Sequence, residues 1–403
     1  MLEYAGSQRA GLSAERETPH PLAVLRSFDW ILVVGVAALV LVGLWGIAGI
    51  TKFAVPNDPS YYLNRQILYA CVGAVALVVA ALIDPDLYRR YWRAIFVGTC
   101  LVIAFVLLVG HAAHGSTRWI SLGFFTFQPS EFGKLLFVVA LAGMLAERQR
   151  ELNRWGTTLK VVGLGLVPVL LVFLQPDLGT ALVYMAALAA MLWVAGVPWR
   201  HLAVLGGLVV VIVLGVLWAA PAAGISVLKG YQQQRLTCFI HPTTCTAANG
   251  YNLNQSKTAV GSGGIRGRGV NNATQVKLGF LPESQTDFVF SSYAEQRGFV
   301  GAVILLGLYL LVLWRGLRVI TVARDLFSAI VAGGIVIALL FQIFVNIGMT
   351  MGIAPITGIP LPFVSVGGSS LIANLAAIGV LLAIHARGRD LREQLADRPG
   401  RDR

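Results

Sequence analysis

The sequence predicts an all-α, polytopic membrane protein with about ten transmembrane helices and one long extracytoplasmic loop. Three observations predict it. Of the 403 residues, 57% are hydrophobic and only 12% are charged, where a soluble domain carries about 25% charge. Apolar runs long enough to cross a bilayer, which takes roughly 20 residues, recur along the chain. The basic residues also fall on alternate connections, as they do when a chain is threaded back and forth through a membrane.

The predicted spans are 29–50, 66–83, 94–111, 129–146, 158–175, 178–196, 202–222, 298–316, 326–350 and 367–386. The fourth starts at Gln128-Pro-Ser130-Glu131, where Pro129 suits a first helical turn and Ser130 or Glu131 can satisfy free amides. Only Gln175-Pro-Asp177 separates the fifth span from the sixth, and Asp177 is placed to cap the latter. Glu295 reads as a charge at the start of the eighth. Before the last span, Ala354-Pro-Ile-Thr-Gly-Ile-Pro-Leu-Pro-Phe363 holds three prolines and a glycine, which forbid continuous helix. The small residues of Gly367-Gly-Ser-Ser370 then allow close helix contact. Between about 223 and 297 lies a hydrophilic island too long for a simple connector. Within it, 251–260 is expected to form a short amphipathic helix on the membrane face. Phe288, Val289, Phe290 and Tyr293 are expected to dip into the interface.

Charge fixes the expected orientation. With the amino terminus inside, the cytoplasmic loops collect Arg89, Arg90, Arg93, Arg148, Arg150, Arg154, Lys160, Arg200, Arg315, Arg318 and Arg324, and both tails are basic. The short outer loops have Lys52, Arg65 and Arg118. The expected orientation is therefore membrane-spanning with both termini cytoplasmic. The expected layout is a disordered tail over 1–28, a membrane domain over 29–386 and a basic tail over 387–403. A net charge of +12 follows largely from this topology. No zinc-finger spacing, Walker loop or basic recognition helix points to nucleic acid. Cys238 and Cys245 share the island, where a disulfide and a free pair are equally open; with His241 they make a poor zinc set, lacking a fourth ligand.

A few polar groups stand out against this apolar background. Arg118 and Trp119 in Gly115-Ser-Thr-Arg-Trp fit an interfacial anchor or a contact to a diphosphate. Glu131 and Lys134, three residues apart, share a helix face and form either a helix-start ion pair or one wall of a polar cavity. Asp177 is a cap or a working carboxylate. Gly261-Ser-Gly-Gly-Ile-Arg-Gly-Arg-Gly269 lacks the nucleotide fingerprints. It reads equally as a flexible linker and as a diphosphate cradle using Arg266 and Arg268. Asp287 sits in Thr-Asp-Phe-Val-Phe, where apolar neighbours would raise its basicity; it is a solvated cap or a general base for a sugar hydroxyl.

Seven fragments in order carry a family resemblance. They are Gly115-Ser-Thr-Arg-Trp, Gln128-Pro-Ser-Glu, Gln175-Pro-Asp-Leu-Gly-Thr, Tyr231-Gln-Gln-Gln-Arg-Leu, Gln255-Ser-Lys-Thr-Ala-Val-Gly-Ser-Gly-Gly264, Phe280-Leu-Pro-Glu with Thr286-Asp-Phe, and Asn346-Ile-Gly-Met with Gly358-Ile-Pro-Leu-Pro-Phe and Gly367-Gly-Ser-Ser. Together they make the chain resemble the SEDS family (shape, elongation, division and sporulation), its RodA branch over FtsW. Gln285 stands where relatives often have His, and Ala294-Glu295-Gln296 stands where a second acid is common. The resemblance implies ten transmembrane helices and a peptidoglycan glycosyltransferase that polymerises lipid II. It implies Asp287 as the catalytic acid residue. It implies Arg118, Trp119, Glu131, Lys134 and Asp177 along the outer cavity, and a class B penicillin-binding protein as partner. Mg2+ or Mn2+ is admitted as a cofactor by hard-metal chemistry, with no ligand set assigned. A lipid II flippase and a non-catalytic scaffold are the rival readings.

Overall fold

The computed structural model describes residues 27–55, 58–109, 111–113, 116–121, 126–219 and 247–396. The tail over 1–26, the Tyr231 motif and the Cys238–His241–Cys245 group lie outside the described residues.

Each predicted span coincides with a described helix over most of its length. In chain order the described helices are α1 (Trp30–Ile50), α2 (Tyr61–Leu82), α3 (Pro85–Arg90), α4 (Trp92–Val109), α5 (Pro129–Glu147), α6 (Trp155–Leu174), α7 (Leu178–Val194), α8 (Trp199–Leu214), α9 (Ala247–Ser262), α10 (Thr274–Lys277), α11 (Val289–Val322), α12 (Leu326–Met351) and α13 (Gly368–Ala396). Seven of these are long and apolar enough to cross a membrane. The apolar helices α4, α7 and α8 are shorter and bring the described set to the ten predicted positions. The last helix runs past the expected end of the membrane domain, so Arg387 and Arg389 are helical.

Burial sorts the helices. Most of α5, α12 and α13 is buried inside the bundle, whereas α1, α2, α6 and α11 bury only one face. Outward residues such as Leu41, Val75, Leu101, Leu108 and Leu310 are exposed and apolar, the surface that lipid solvates. Glycine sets the close approaches. A Cβ at Gly379 of α13 would lie 2.2 Å from the Leu77 carbonyl of α2, and one at Gly43 of α1 would lie 2.8 Å from the Phe363 carbonyl. At the start of α1, Asp29 caps the helix by accepting from Leu32 N and pairs with Arg315 of α11, both buried.

Two local readings are corrected. Phe288, Val289, Phe290 and Tyr293 do not enter a membrane interface; all are under 4% exposed and pack within the protein. Nor does Glu295 begin a span. The helix starts at Val289 and breaks at Gly298 (φ 67°), leaving Glu295 fully buried in the first half. There its carboxylate accepts from Gln275 N and Val276 N and so ties down α10. The island helix α9 likewise docks on the bundle. Leu253 and Ala259 join Leu281, Phe288, Met349, Ala354 and Ile356 in a second small core. Ser256 Oγ, also buried, donates to the Thr350 carbonyl of α12 at 2.8 Å.

The connection from α4 to α5 adds a three-stranded antiparallel sheet: β1 (His111–Ala113), β2 (Ser116–Ser121) and β3 (Thr126–Phe127), in the order β1-β2-β3. In a chain otherwise read as all-helical, it pairs backbone that the loop's glycines and serines keep out of helix.

Candidate active site

The site is built from the outset of α5. Pro129 occupies its first turn without needing a donor partner. Glu131 and Lys134 follow on one face, with Lys134 Nζ donating to Glu131 Oε2 at 2.8 Å; their side chains are 3% and 9% exposed. At that burial the pair is desolvated, and each charge depends on the other. It borders a small cavity of about 30 Å³ whose other walls include Gln342 of α12 and Asn374 of α13. That volume admits one or two water molecules.

Asp177 is the N-cap of α7. Its Oδ1 accepts from Thr180 N at 3.1 Å and its Oδ2 from Thr180 Oγ1 at 2.9 Å. Gln128 joins it to α5, its Nε2 donating to Asp177 Oδ2 at 3.2 Å and to Ser130 Oγ at 3.2 Å. The Gln128 amide in turn donates to Ser369 Oγ, which donates to the Thr126 carbonyl of β3. Tyr184 Oη closes the group on the Ser130 carbonyl at 3.0 Å. Thus Asp177, distant in sequence from Glu131 and Lys134, is joined to the helix that carries them through Gln128 and Ser130. Arg118 and Trp119 lie on β2, with Trp119 in register with His111. The end of that strand pairs with β3 at Ser121 and Thr126, which brings the strand to the same Ser369 contact.

Asp287 is half-buried on the turn that leads into α11. Its main-chain carbonyl accepts from Asn346 Nδ2 of α12 at 2.9 Å. The neighbouring Thr286 carbonyl accepts from Ser365 Oγ at 2.6 Å, and the Gln285 carbonyl from Val366 N at 2.9 Å. Gln342 and Asn346 are four residues apart on α12, hence on one face and about 6 Å apart. The Asp287 backbone therefore sits one helical turn from the wall of the Glu131–Lys134 cavity. Two residues beside it hold left-handed backbone without being glycine: Glu283 (φ 51°) and Phe363 (φ 67°), a conformation that surrounding structure must enforce.

The glycine-rich run docks rather than dangles. Gly267 N bonds to the Gly263 carbonyl, Arg268 N to the Glu295 carbonyl and Gly269 N to the Gln296 carbonyl. Its own carbonyls at Gly264 and Ile265 accept from Phe299 N and Val300 N across the break at Gly298. Three of its amides are thereby used on protein. Arg266 and Arg268 are exposed, and Arg268 Nε donates to the Ser262 carbonyl at 2.9 Å.

Gln128 and Asn346 stand in the sequence motifs without a site role, and Gln342, Asn374, Ser365 and Gln66 were not singled out by sequence. Gln66, Gln342 and Asn346 are uncharged polar side chains inside apolar helices, a fainter sequence signal than an ionisable group.

Residues 26–390 match the cell cycle protein family that groups FtsW, RodA and SpoVE. The chain is 36% identical to the peptidoglycan glycosyltransferase MrdB of Escherichia coli over 359 residues, covering 88% of this chain and 93% of that protein. It is 34% identical to stage V sporulation protein E of Bacillus subtilis, over 90% of this chain and 98% of that one. Among solved structures, a chain of a peptidoglycan synthase complex, described for its coordination of polymerization and crosslinking, superposes with a TM-score of 0.75 at 32% identity, covering 90% and 98% of the two chains. RodA of Thermus thermophilus superposes with a TM-score of 0.65 at 32% identity, covering 89% and 96%. With its helices, its motifs and its buried polar cluster in this arrangement, the chain belongs to the SEDS family, the cell cycle proteins of the FtsW, RodA and SpoVE type.

Proposed function

We propose that this protein is a peptidoglycan glycosyltransferase of the RodA branch, which polymerises lipid II into β-1,4 glycan for wall elongation. The observation that carries the reading is the placement of Asp287: a half-buried carboxylate on a fastened turn, one helical turn along α12 from a cavity walled by a buried Glu131–Lys134 pair. In the reaction, Asp287 takes the proton from the acceptor sugar's 4-hydroxyl. The freed oxygen attacks the anomeric carbon of the donor, and the bond from that carbon to the diphosphate breaks. Undecaprenyl diphosphate leaves from the opposite face, so an α-linked donor becomes a β-linked product. A positioned base contributes about 10²–10⁴-fold.

The leaving diphosphate gathers negative charge as its bond breaks and needs cations there. Lys134, Arg118, Arg266 and Arg268 are assigned that role, and Trp119 and Asp177 the shaping of the substrate groove. The described acids form no cluster of three metal ligands. Glu131 is paired with Lys134, and Asp177 accepts three hydrogen bonds from Gln128 and Thr180. A bound Mg2+ or Mn2+, with the substrate's phosphates among its ligands, would add to the positive charge that these basic residues offer the leaving group. Both termini are read as cytoplasmic from the distribution of Lys and Arg, which sets Asp287 on the outer side. The partner is read as a class B penicillin-binding protein, a transpeptidase that would cross-link the new strand. The similarity to a chain of a complex coordinating polymerization and crosslinking supports this.

The test uses purified protein in detergent, alone and with that partner, supplied with labelled lipid II. A glycan ladder that disappears in Asp287→Asn supports the enzyme. A ladder of native intensity in that variant removes Asp287 from the mechanism, and lipid II crossing vesicle membranes with no polymer would favour a flippase.

A further inference from the structure

Three consecutive carbonyls, those of Gln285, Thr286 and Asp287, all receive hydrogen bonds from one side. The donors are Val366 N at 2.9 Å, Ser365 Oγ at 2.6 Å and Asn346 Nδ2 at 2.9 Å. Each donor is itself fastened. Asn346 is fully buried and its Nδ2 also donates to the Ile359 carbonyl at 2.7 Å. Ser365 Oγ accepts from Leu361 N at 2.9 Å. Gln66 of α2, buried, donates through Nε2 to the Ser365 carbonyl and accepts from Gly367 N. The apparatus thus joins α2, α12 and the proline-rich connection before α13 to the turn that carries the candidate base.

Asn346 is an unusual choice if stability is the only purpose. Its Oδ1 is buried and has no hydrogen-bond partner among the described residues, so the site carries the cost of an unsatisfied acceptor. What the residue does supply is a fork of two donors joining the Asp287 carbonyl to the Ile359 carbonyl. We propose that Asn346 and Ser365 are positioning residues for Asp287, fixing the backbone of its turn so that the carboxylate meets the acceptor hydroxyl in attacking geometry. The proposal rests on the reading of Asp287 as the general base. A displacement of about 1 Å at such a group costs on the order of 10²-fold in rate.

The experiment measures lipid II polymerisation by the full-length protein, alone and with its class B penicillin-binding partner, per mole of protein that elutes as a folded species. Asn346→Leu keeps the branched shape and removes the donors; Ser365→Ala is the smaller change and guards against misfolding of the first. Expected is a fall in kcat of about 10–100-fold in each, with KM for lipid II unchanged. Ser365→Thr, which keeps the hydroxyl, restores activity. In an Asp287→Glu background, where the carboxylate is already displaced, Asn346→Leu costs a smaller factor than in the native background. An equal factor in both backgrounds marks a general packing defect and overturns the proposal. So does native kcat in both Asn346→Leu and Ser365→Ala while Asp287→Asn is inactive. If Asp287→Asn itself polymerises normally, the general-base reading fails and the positioning role falls with it.

Discussion

Removing Lys134 tests whether the buried pair in α5 is structural, functional or both. The salt bridge is 2.8 Å long and its side chains are 3% and 9% exposed. Lys134→Met takes away the partner but leaves Glu131 desolvated. Deleting one member of a buried pair costs about 3–5 kcal/mol. The adjoining cavity of about 30 Å³ can give Glu131 one or two waters, which places this case near the lower limit, about 3 kcal/mol. Glu131→Gln with Lys134→Met removes both charges, and such exchanges are often neutral or stabilising. The assay pairs thermal unfolding in detergent, followed by size exclusion, with lipid II polymerisation. The single substitution should lower the unfolding midpoint and the double substitution should recover most of the loss. The double variant should still polymerise poorly, since the cation proposed to face the diphosphate is gone. A double variant with native activity would refute the functional half of the argument. A Lys134→Met protein as stable as the native one would refute the claim that the pair is desolvated.

Two further outcomes follow from the geometry. Asp177→Asn keeps an oxygen for Thr180 N but sets an amide donor against Gln128 Nε2, so it should cost about 1 kcal/mol, and Asp177→Ala, which also loses the cap, about 1 kcal/mol more; a loss of polymerisation in folded Asp177→Asn far beyond that would mark the carboxylate charge as functional, and unchanged activity would leave it a cap. Gly379→Ala puts a Cβ 2.2 Å from the Leu77 carbonyl, a backbone atom that cannot swing away, and should destabilise the α2–α13 contact by about 1–3 kcal/mol or more. Gly307→Ala, with no atom within 4 Å of the added Cβ, is the control and should be neutral or gain up to about 1 kcal/mol by helix propensity; equal melting shifts in the two would contradict the packing described.

What could be read before folding is local. Glu131 and Lys134 are three residues apart, so a helix alone brings them together. Asp177 stands just before an apolar helix and caps it through Thr180, three residues on. The glycine-rich run was harder. Its glycines signal unusual backbone, but only the fold reveals that the amides of Gly267, Arg268 and Gly269 serve carbonyls in the run itself and in α11. Asp287 could be singled out as an acid among apolar neighbours, yet its holders Asn346 and Ser365 lie 59 residues or more away.

The sequence by itself determined the class of the molecule and the order of its apolar spans, because crossing a bilayer demands apolar length that composition alone records. Tertiary structure alone decided which apolar residues face lipid and which face protein. Phe288, Phe290 and Tyr293 were expected at a membrane interface and are buried in the fold. Hydropathy cannot separate these cases, since lipid tails are as apolar as a protein core. Only polar contacts break that tie. The bonds of Asn346, Ser365 and Gln66 to distant carbonyls satisfy groups that neither lipid nor the local helix could satisfy, and they arise only when the chain is packed.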